Sequence, residues 1–215
     1  MKDYIRFTGV LFLISLIAAL SLAGVYIATK PNIEKQMELE KAEALKVIFG
    51  EFDFSKDPDI ITLDNGREVK IIKDKNGDIL GFAFEVVGKG FSSNIKATVG
   101  MKEDGTIIGI KVTYQEETPG LGARMNEVKS DKYLWTFWKK DAEEGPSIPT
   151  FQNDFKGKKH HELTLIKSGD INDETHPIEA ITGATISSKA VLDAIKKGCE
   201  AVMVHLENNS NTGEN

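Results

Sequence analysis

Two short segments of this chain combine hydroxyl or carboxyl side chains with glycines that leave room for a ligand. They are Glu117-Thr-Pro-Gly-Leu-Gly122 and Thr182-Gly-Ala-Thr-Ile-Ser187. In the second, only Gly183 and Ala184 stand directly before the Thr185 hydroxyl, and a helical pattern starts there. A phosphate at this point would meet the unpaired N–H groups and the positive dipole end of the helix. A strand-to-helix turn with a Thr or Ser cap fits the same pattern, so both interpretations stand.

The first segment has the composition of a tight loop. Pro119-Gly120 predicts a turn, and Gly122 would let the backbone approach a flat ligand closely. An ordinary Pro-Gly loop would contain the same residues. The segment therefore becomes informative only together with the second one.

The other side chains that could react or bind a ligand do not predict a metal site or a disulfide. The single cysteine, Cys199, lies on the apolar face of a predicted helix, which favours a buried small hydrophobe over a reactive thiol. His160 and His161 end a predicted basic turn over residues 155–161. They are interpreted as exposed, because adjacent histidines on a strand would point to opposite faces and no further ligands are spaced around them. Trp135 and Trp138 could stack on a ring system, although core packing is favoured for at least one of them. Any redox chemistry would then require an organic cofactor.

Composition limits the size of the fold and the kind of partner. With 215 residues, of which 40% are hydrophobic, the chain can bury one good core and a small second element. The net charge of -6 and the pI near 5.4 argue against a nucleic-acid partner, which would require clustered Lys and Arg.

The N-terminus predicts a membrane anchor. Residues 7–29 contain no charged side chain and are long enough to cross a bilayer, which favours an uncleaved anchor over residues 1–30 rather than a signal peptide. Lys2 and Arg6 precede the span and predict that the following domain lies outside the cytoplasm, although Lys30 and Lys35 on the other side oppose this orientation. An amphipathic stalk helix is expected over residues 31–50.

The rest of the chain predicts an α+β domain over residues 51–207, followed by a disordered tail over residues 208–215. Turn signals at Asp64-Asn-Gly66, Lys75-Asn-Gly77 and Glu103-Asp-Gly105 separate β-rich runs and predict a twisted antiparallel meander. A glycine-rich break is expected at residues 88–91. The apolar stripe after Thr185 predicts a C-terminal helix packed on the sheet. The expected strands are Ile60–Leu63, Glu68–Lys73, Ile79–Val87, Asn94–Met101 and Thr106–Tyr114.

The two opening segments, whole and in this order, resemble those of the FMN-binding domain family, and the resemblance covers Phe82 to Leu206. That family includes the G subunit of the Rnf electron-transport complex and the C subunit of the Na⁺-translocating NADH:quinone reductase, which also begin with one membrane span. The resemblance implies that Thr185 carries FMN through a phosphoester bond added by a flavin transferase. Glu179 departs from the family pattern, which usually has Asp there. The flavin-binding residues implied by the resemblance are Glu117, Thr118, Pro119, Gly120, Leu121, Gly122, Thr182, Gly183, Ala184, Thr185 and Ser187.

The resemblance also implies a function. It is that of a membrane-anchored flavoprotein subunit that relays electrons within an ion-translocating ferredoxin:NAD oxidoreductase of the Rnf type, with the other membrane subunits as partners. The expected location is the bacterial cytoplasmic membrane, single-pass, with the flavin domain on the extracytoplasmic side. No catalytic residue is predicted, because no base or metal is evidently placed to activate Thr185. The alternatives are the C subunit of a Na⁺-translocating NADH:quinone reductase, an independent flavoenzyme or sensor, and a non-redox membrane-anchored binding module.

Overall fold

The computed structural model describes residues 2–50, 58–64, 66–74, 76–128, 148–167 and 177–212. The aromatic segment with Trp135 and Trp138 lies outside these residues. The chain divides into two compact units, residues 1–40 and 41–215.

The first helix, α1, runs from Lys2 to Phe49 and is continuous through Pro31. The expected anchor and stalk segments therefore lie on one helix, and the boundary between them at residue 30 remains a prediction. Proline removes one backbone donor, the one that would bond to the carbonyl of Ile27, and a helix of this length tolerates a single lost bond. Two residues before the proline, the Thr29 hydroxyl donates to the Val25 carbonyl at 2.9 Å.

Most of α1 consists of apolar side chains that the protein itself does not bury. By length and composition, the segment Asp3–Phe49 could cross a membrane, since its most apolar 18-residue window has a mean hydropathy of 2.5 and no buried residue. A signal sequence near an N-terminus would meet the same criteria. The structure thus contains the candidate span that the sequence predicts.

A five-stranded antiparallel meander in the order β1-β2-β3-β4-β5 forms the centre of the second unit. The three predicted turns connect β1 to β2, β2 to β3 and β4 to β5, so the predicted hairpins are confirmed. The strands are β1 (Asp59–Thr62), β2 (Glu68–Lys73), β3 (Ile79–Lys89), β4 (Asn94–Met101) and β5 (Ile107–Tyr114).

The C-terminal helix α3, Thr185–Thr212, packs on one face of this sheet as predicted. Alternate β3 residues Phe84 and Val86 face it, and a Cβ added to Gly198 would lie 2.5 Å from Val86 Cγ1. The core between sheet and helix includes Val99, Met101, Ile110, Val191, Ile195, Cys199 and Val202, all at most 2% exposed. The helix continues through residues 208–212, so this part of the expected disordered tail is helical.

The end of α1, residues 41–49, covers the opposite face of the sheet. Leu45 packs with Ile72 and Ala83, and a Cβ added to Gly100 would collide with Ile48 Cγ2 at 2.4 Å. The sheet is therefore covered by helices on both faces. The loop between β3 and β4 and the loop after β5 remain outside these helices.

Short elements fill the connection between β5 and α3. They are a 3₁₀ turn at Gly122–Asn126, the helix α2 at Thr150–Asn153, a second 3₁₀ turn at His160–Glu162, and the parallel pair β6 (Leu165–Ile166) and β7 (Ile178–Glu179). The histidine pair lies in the second 3₁₀ turn, at the end of the predicted basic turn. His161 is exposed as predicted, whereas His160 is half-buried with Nδ1 3.4 Å from the Gly105 carbonyl oxygen.

Candidate functional site

Helix α3 begins at Thr185, directly after a tight turn. The Ala184 N–H donates to the Ile181 carbonyl at 2.8 Å, and Gly183 has φ +78°. A closed turn with positive φ at its third residue is of type II, which favours glycine there. The small residues before Thr185 are therefore explained by the turn.

A serine hydroxyl connects the helix to this turn, but Ser188 is the fourth residue of α3 and is therefore not its N-cap. The buried Ser188 hydroxyl donates to the Ala184 carbonyl at 3.0 Å and accepts from the Ile181 N–H at 3.0 Å. The Thr185 side chain is exposed, and its hydroxyl takes part in no hydrogen bond among the described residues. The Thr185 hydroxyl is thus accessible for modification.

A second turn of the same kind lies in the first segment. The Leu121 N–H donates to the Thr118 carbonyl at 3.1 Å, with Pro119 at the second position and Gly120 at the third with φ +75°. Proline and glycine occupy the positions that a type II turn prefers. The predicted Pro-Gly turn is therefore present.

The two turns face each other across a pocket of about 390 Å³. They approach closely, because a Cβ added to Gly183 would lie 2.9 Å from Leu121 Cδ2. Eight of the eleven predicted site residues line this pocket, while Pro119, Gly120 and Thr182 do not. The lining residues are Phe91, Glu117, Thr118, Leu121, Gly122, Gly183, Ala184, Thr185, Ile186 and Ser187.

Sequence reasoning missed Phe91 and Ile186 as pocket residues. Phe91 lies in the β3–β4 connection, where the glycines of residues 88–90 were the visible signal, and nothing in the sequence links this loop to Thr185. Ile186 falls inside the predicted motif but has no polar group to attract notice. Both are exposed apolar side chains.

Glu117 is the buried polar centre of the site, with 6% of its surface exposed. Its Oε1 accepts from the N–H groups of Ser92 and Ser93 at 3.0 and 2.9 Å. Its Oε2 accepts from the Ser187 hydroxyl at 2.6 Å and from the Phe91 N–H at 3.3 Å. One carboxylate therefore joins the β3–β4 loop, its own loop and the first turn of α3.

This hydrogen bonding keeps Glu117 ionised. Burial by itself would raise the pKa of the carboxyl, but the hydrogen bonds from Ser187 and from the Ser93, Ser92 and Phe91 amides outweigh it, and the pKa is lowered. With its oxygens engaged and its pKa low, Glu117 is poorly suited to take a proton from Thr185.

Gly122 is required by the close approach of three groups. A Cβ at this position would lie 2.8 Å from Glu117 Cβ, and 2.9 Å from both Glu117 Oε2 and Ser187 Oγ. The glycine thus leaves the space in which the carboxylate and the hydroxyl meet.

Glu179 lies outside the Thr185 pocket. With Thr182 it lines a separate cavity of about 130 Å³ that also contains Arg124, paired to Glu127 at 3.2 Å. Glu179 is exposed at the end of β7. The departure from the family motif therefore does not touch the groups around the Thr185 hydroxyl.

Cys199 is buried as predicted, and burial raises the pKa of its thiol to about 12. Among the described residues, no group of three or more His, Cys, Asp or Glu side chains could hold a metal ion. That the protein uses no metal remains a prediction.

A family model for the FMN-binding domain matches residues 90–200, a range that includes both segments and every residue of the pocket. The fold and the site define a flavin-binding domain, and this chain belongs to the FMN-binding domain family.

Curated relatives match over most of their length. The chain is 28% identical over 188 residues to the G subunit of a proton-translocating ferredoxin:NAD(+) oxidoreductase complex from Clostridium ljungdahlii, covering 86% of this chain and 84% of that protein. It is also 28% identical to the G subunit of an ion-translocating oxidoreductase complex from Methanosarcina acetivorans, covering 94% and 95%. Among solved structures, NqrC of Shewanella oneidensis aligns with a TM-score of 0.47 and 22% identity over 67% of this chain and 64% of that one, a little under two thirds of its length.

The residues of the pocket fit FMN. Its volume falls within the range of about 300–1,000 Å³ usual for small-ligand sites. The first turn of α3 offers N–H groups to a phosphate, and exposed apolar side chains beside Thr185 offer contacts to a ring system. The pocket can therefore hold the phosphate and the ring of one molecule.

Proposed function

We propose that this chain is a membrane-anchored flavoprotein subunit of an ion-translocating ferredoxin:NAD oxidoreductase, in which FMN is attached to Thr185 and relays electrons. Membership of the FMN-binding domain family supports the cofactor, and the names of the full-length relatives support the complex. The other membrane subunits of that complex are then its partners.

One observation supports Thr185 as the attachment site. Thr185 is exposed and lies where the two segments meet, at the start of a helix whose N–H groups are available to a phosphate. Bound FMN supplies one- and two-electron redox chemistry, and the chain supplies its position and surroundings.

The attachment requires an external enzyme. In the proposed step, the Thr185 oxygen forms a bond to phosphorus of an activated flavin nucleotide, the bond from phosphorus to the leaving nucleotide breaks, and the hydroxyl proton passes to a base of the flavin transferase. Within the pocket, Glu117 is the carboxylate that could act as this base, but its hydrogen bonds and lowered pKa disfavour proton transfer to it. The transferase is therefore proposed as a maturation partner.

We also propose that residues 1–30 anchor the domain in the cytoplasmic membrane with the flavin outside the cytoplasm. The candidate span and the positive charges before it support this orientation. A cysteine-reactive probe that cannot cross membranes should label Ser92→Cys on intact cells, because Ser92 is exposed. Labelling only after lysis would place the domain in the cytoplasm.

The attachment is tested by replacing Thr185. Full-length protein co-expressed with a flavin transferase should carry covalent flavin, seen as added intact mass and as fluorescence in a denaturing gel. Thr185→Val should abolish both signals, whereas the matched control Thr164→Val, also exposed but outside the pocket and outside both motif segments, should retain them. Covalent flavin on Thr185→Val would show that the assigned site is wrong, and an unmodified wild-type chain would contradict covalent attachment.

A further inference from the structure

Three large apolar side chains line the same pocket as Thr185 and are exposed to solvent. Phe91 is 73% exposed, Ile186 is 58% exposed and Leu121 is 43% exposed, and all three line the Thr185 pocket. They come from three separate parts of the chain: the β3–β4 loop, the Pro-Gly turn and the first turn of α3. We call Phe91, Leu121 and Ile186 the apolar collar.

The backbone beneath Phe91 is held in place. Its N–H and the N–H groups of Ser92 and Ser93 all donate to the Glu117 carboxylate, and the Ser93 hydroxyl accepts from the Glu116 N–H at 2.8 Å. Gly90 is equally confined, because a Cβ there would lie 2.5 Å from Glu117 Oε1. An aromatic side chain is thus presented to solvent by a loop whose backbone is fixed, which is the preorganisation that a binding contact requires.

We propose that the collar holds the isoalloxazine ring of FMN attached at Thr185, with Phe91 as the aromatic contact, and that Glu117 is the positioning residue that holds Phe91 there. This inference rests on the proposed function. The occupant is argued from the position of Thr185 in the same pocket of about 390 Å³: a ring tethered to Thr185 by its phosphate stays near these side chains. A flat aromatic ring and an exposed Phe gain from mutual burial and stacking.

The collar is tested by the solvent accessibility of the attached flavin in full-length protein. In wild type, iodide should quench the flavin fluorescence weakly, because the ring is covered on one side. Phe91→Ala should raise the iodide quenching constant without loss of covalent flavin by intact mass. Val87→Ala is the matched control, since Val87 is 53% exposed but does not line the pocket, and it should leave quenching unchanged.

A second variant tests the contact between residue 91 and the flavin ring directly. Indole quenches flavin fluorescence at close range by electron transfer, so Phe91→Trp should be strongly quenched relative to wild type and to Val87→Trp. Both positions are exposed, so neither substitution should disturb the core. Unchanged fluorescence in Phe91→Trp together with unchanged iodide quenching in Phe91→Ala would overturn the collar, and would leave these side chains as a surface for a partner protein.

The positioning role of Glu117 is tested by a double-mutant comparison. Glu117→Gln should raise iodide quenching in the wild-type background but add little in the Phe91→Ala background, because both changes act through one side chain. Additive increases would overturn this role, and the Phe91 variants decide the ring contact even where Glu117→Gln does not fold. A wild-type chain without covalent flavin would instead overturn the proposed attachment, so the two failures are distinguishable.

Discussion

Replacement of Glu117 by Gln tests the hydrogen bonds of the Glu117 carboxylate through the stability of the folded protein. Gln keeps the size of the side chain and one acceptor oxygen, which can still serve the Ser92 and Ser93 amides. The other oxygen becomes an NH₂ group that faces the Phe91 N–H, while the Ser187 hydroxyl can rotate to accept from it. The change therefore removes the charge and leaves one amide donor without its acceptor.

The expected magnitude follows from these contacts. A hydrogen bond to a charged group contributes about 1.5–3 kcal/mol, so the loss should be about 2 kcal/mol in the free energy of unfolding. For a domain of this size, about 2–4 °C of melting temperature corresponds to each kcal/mol, which predicts a fall of about 4–8 °C. Thermal unfolding of detergent-solubilised full-length protein, followed by circular dichroism at neutral pH, measures this difference.

The lowered pKa of Glu117 also predicts how the stability difference between wild type and Glu117→Gln changes with pH. The pKa of Glu117 is lowered in the folded protein relative to about 4.3 in the unfolded chain, so the folded state binds this proton less readily. Its contribution to stability is therefore complete above the unfolded pKa and is lost as the pH falls through the folded pKa. The stability difference between wild type and Glu117→Gln should be constant above pH about 5 and should shrink in acid. An equal difference at pH 7 and at strongly acidic pH, or no difference at pH 7, would refute the reasoning.

Two further predictions concern the space at Gly122 and the burial of Cys199. Gly122→Ala places a methyl group against Glu117 and Ser187 and should destabilise the protein by about 1–3 kcal/mol. Gly109→Ala, whose added Cβ would meet nothing closer than 3.7 Å, should cost less in the same chemical denaturation experiment, and equal costs would contradict the assigned crowding. Cys199 should resist alkylation in the native protein at pH 8 and react on unfolding, because burial raises its thiol pKa to about 12; rapid native labelling by mass spectrometry would count against this burial.

Local signals were sufficient to predict the meander. Each of the three predicted hairpin turns ends in a glycine with positive φ, and such turns can be recognised from the sequence because few other residues adopt this conformation. The turn residues also placed the strand ends within two positions of those observed, and the largest difference is at the end of β3. Strand β3 continues through Gly88, where a break was expected, because Gly88 pairs with Ile95 and a Cβ there would lie 2.4 Å from the Ala190 carbonyl oxygen. The glycine is required by the approach of α3, which no local pattern contains.

The candidate site could be predicted only in part, because local motifs do not show contacts between distant parts of the chain. Thr185 and the Pro-Gly loop are visible as motifs, but the contact between Glu117 and Ser187 joins residues 70 positions apart. The resemblance implies that Glu117 lines the flavin, which remains a prediction; its engagement by the Ser92 and Ser93 amides and the Ser187 hydroxyl has no signal in the sequence. Phe91 could not be assigned from the sequence, because its place beside Thr185 results from the folded sheet.

The helix that begins at Thr185 also forms one wall of the core through Ile195, Cys199 and Val202. The hydroxyl reaches its position beside the Pro-Gly turn only when this helix has docked on the sheet. A transferase that recognises the assembled pocket would therefore load only chains that have completed folding. Attachment of the cofactor would then act as a quality control, and the yield of flavin in a mutant series would report the fraction of correctly folded protein.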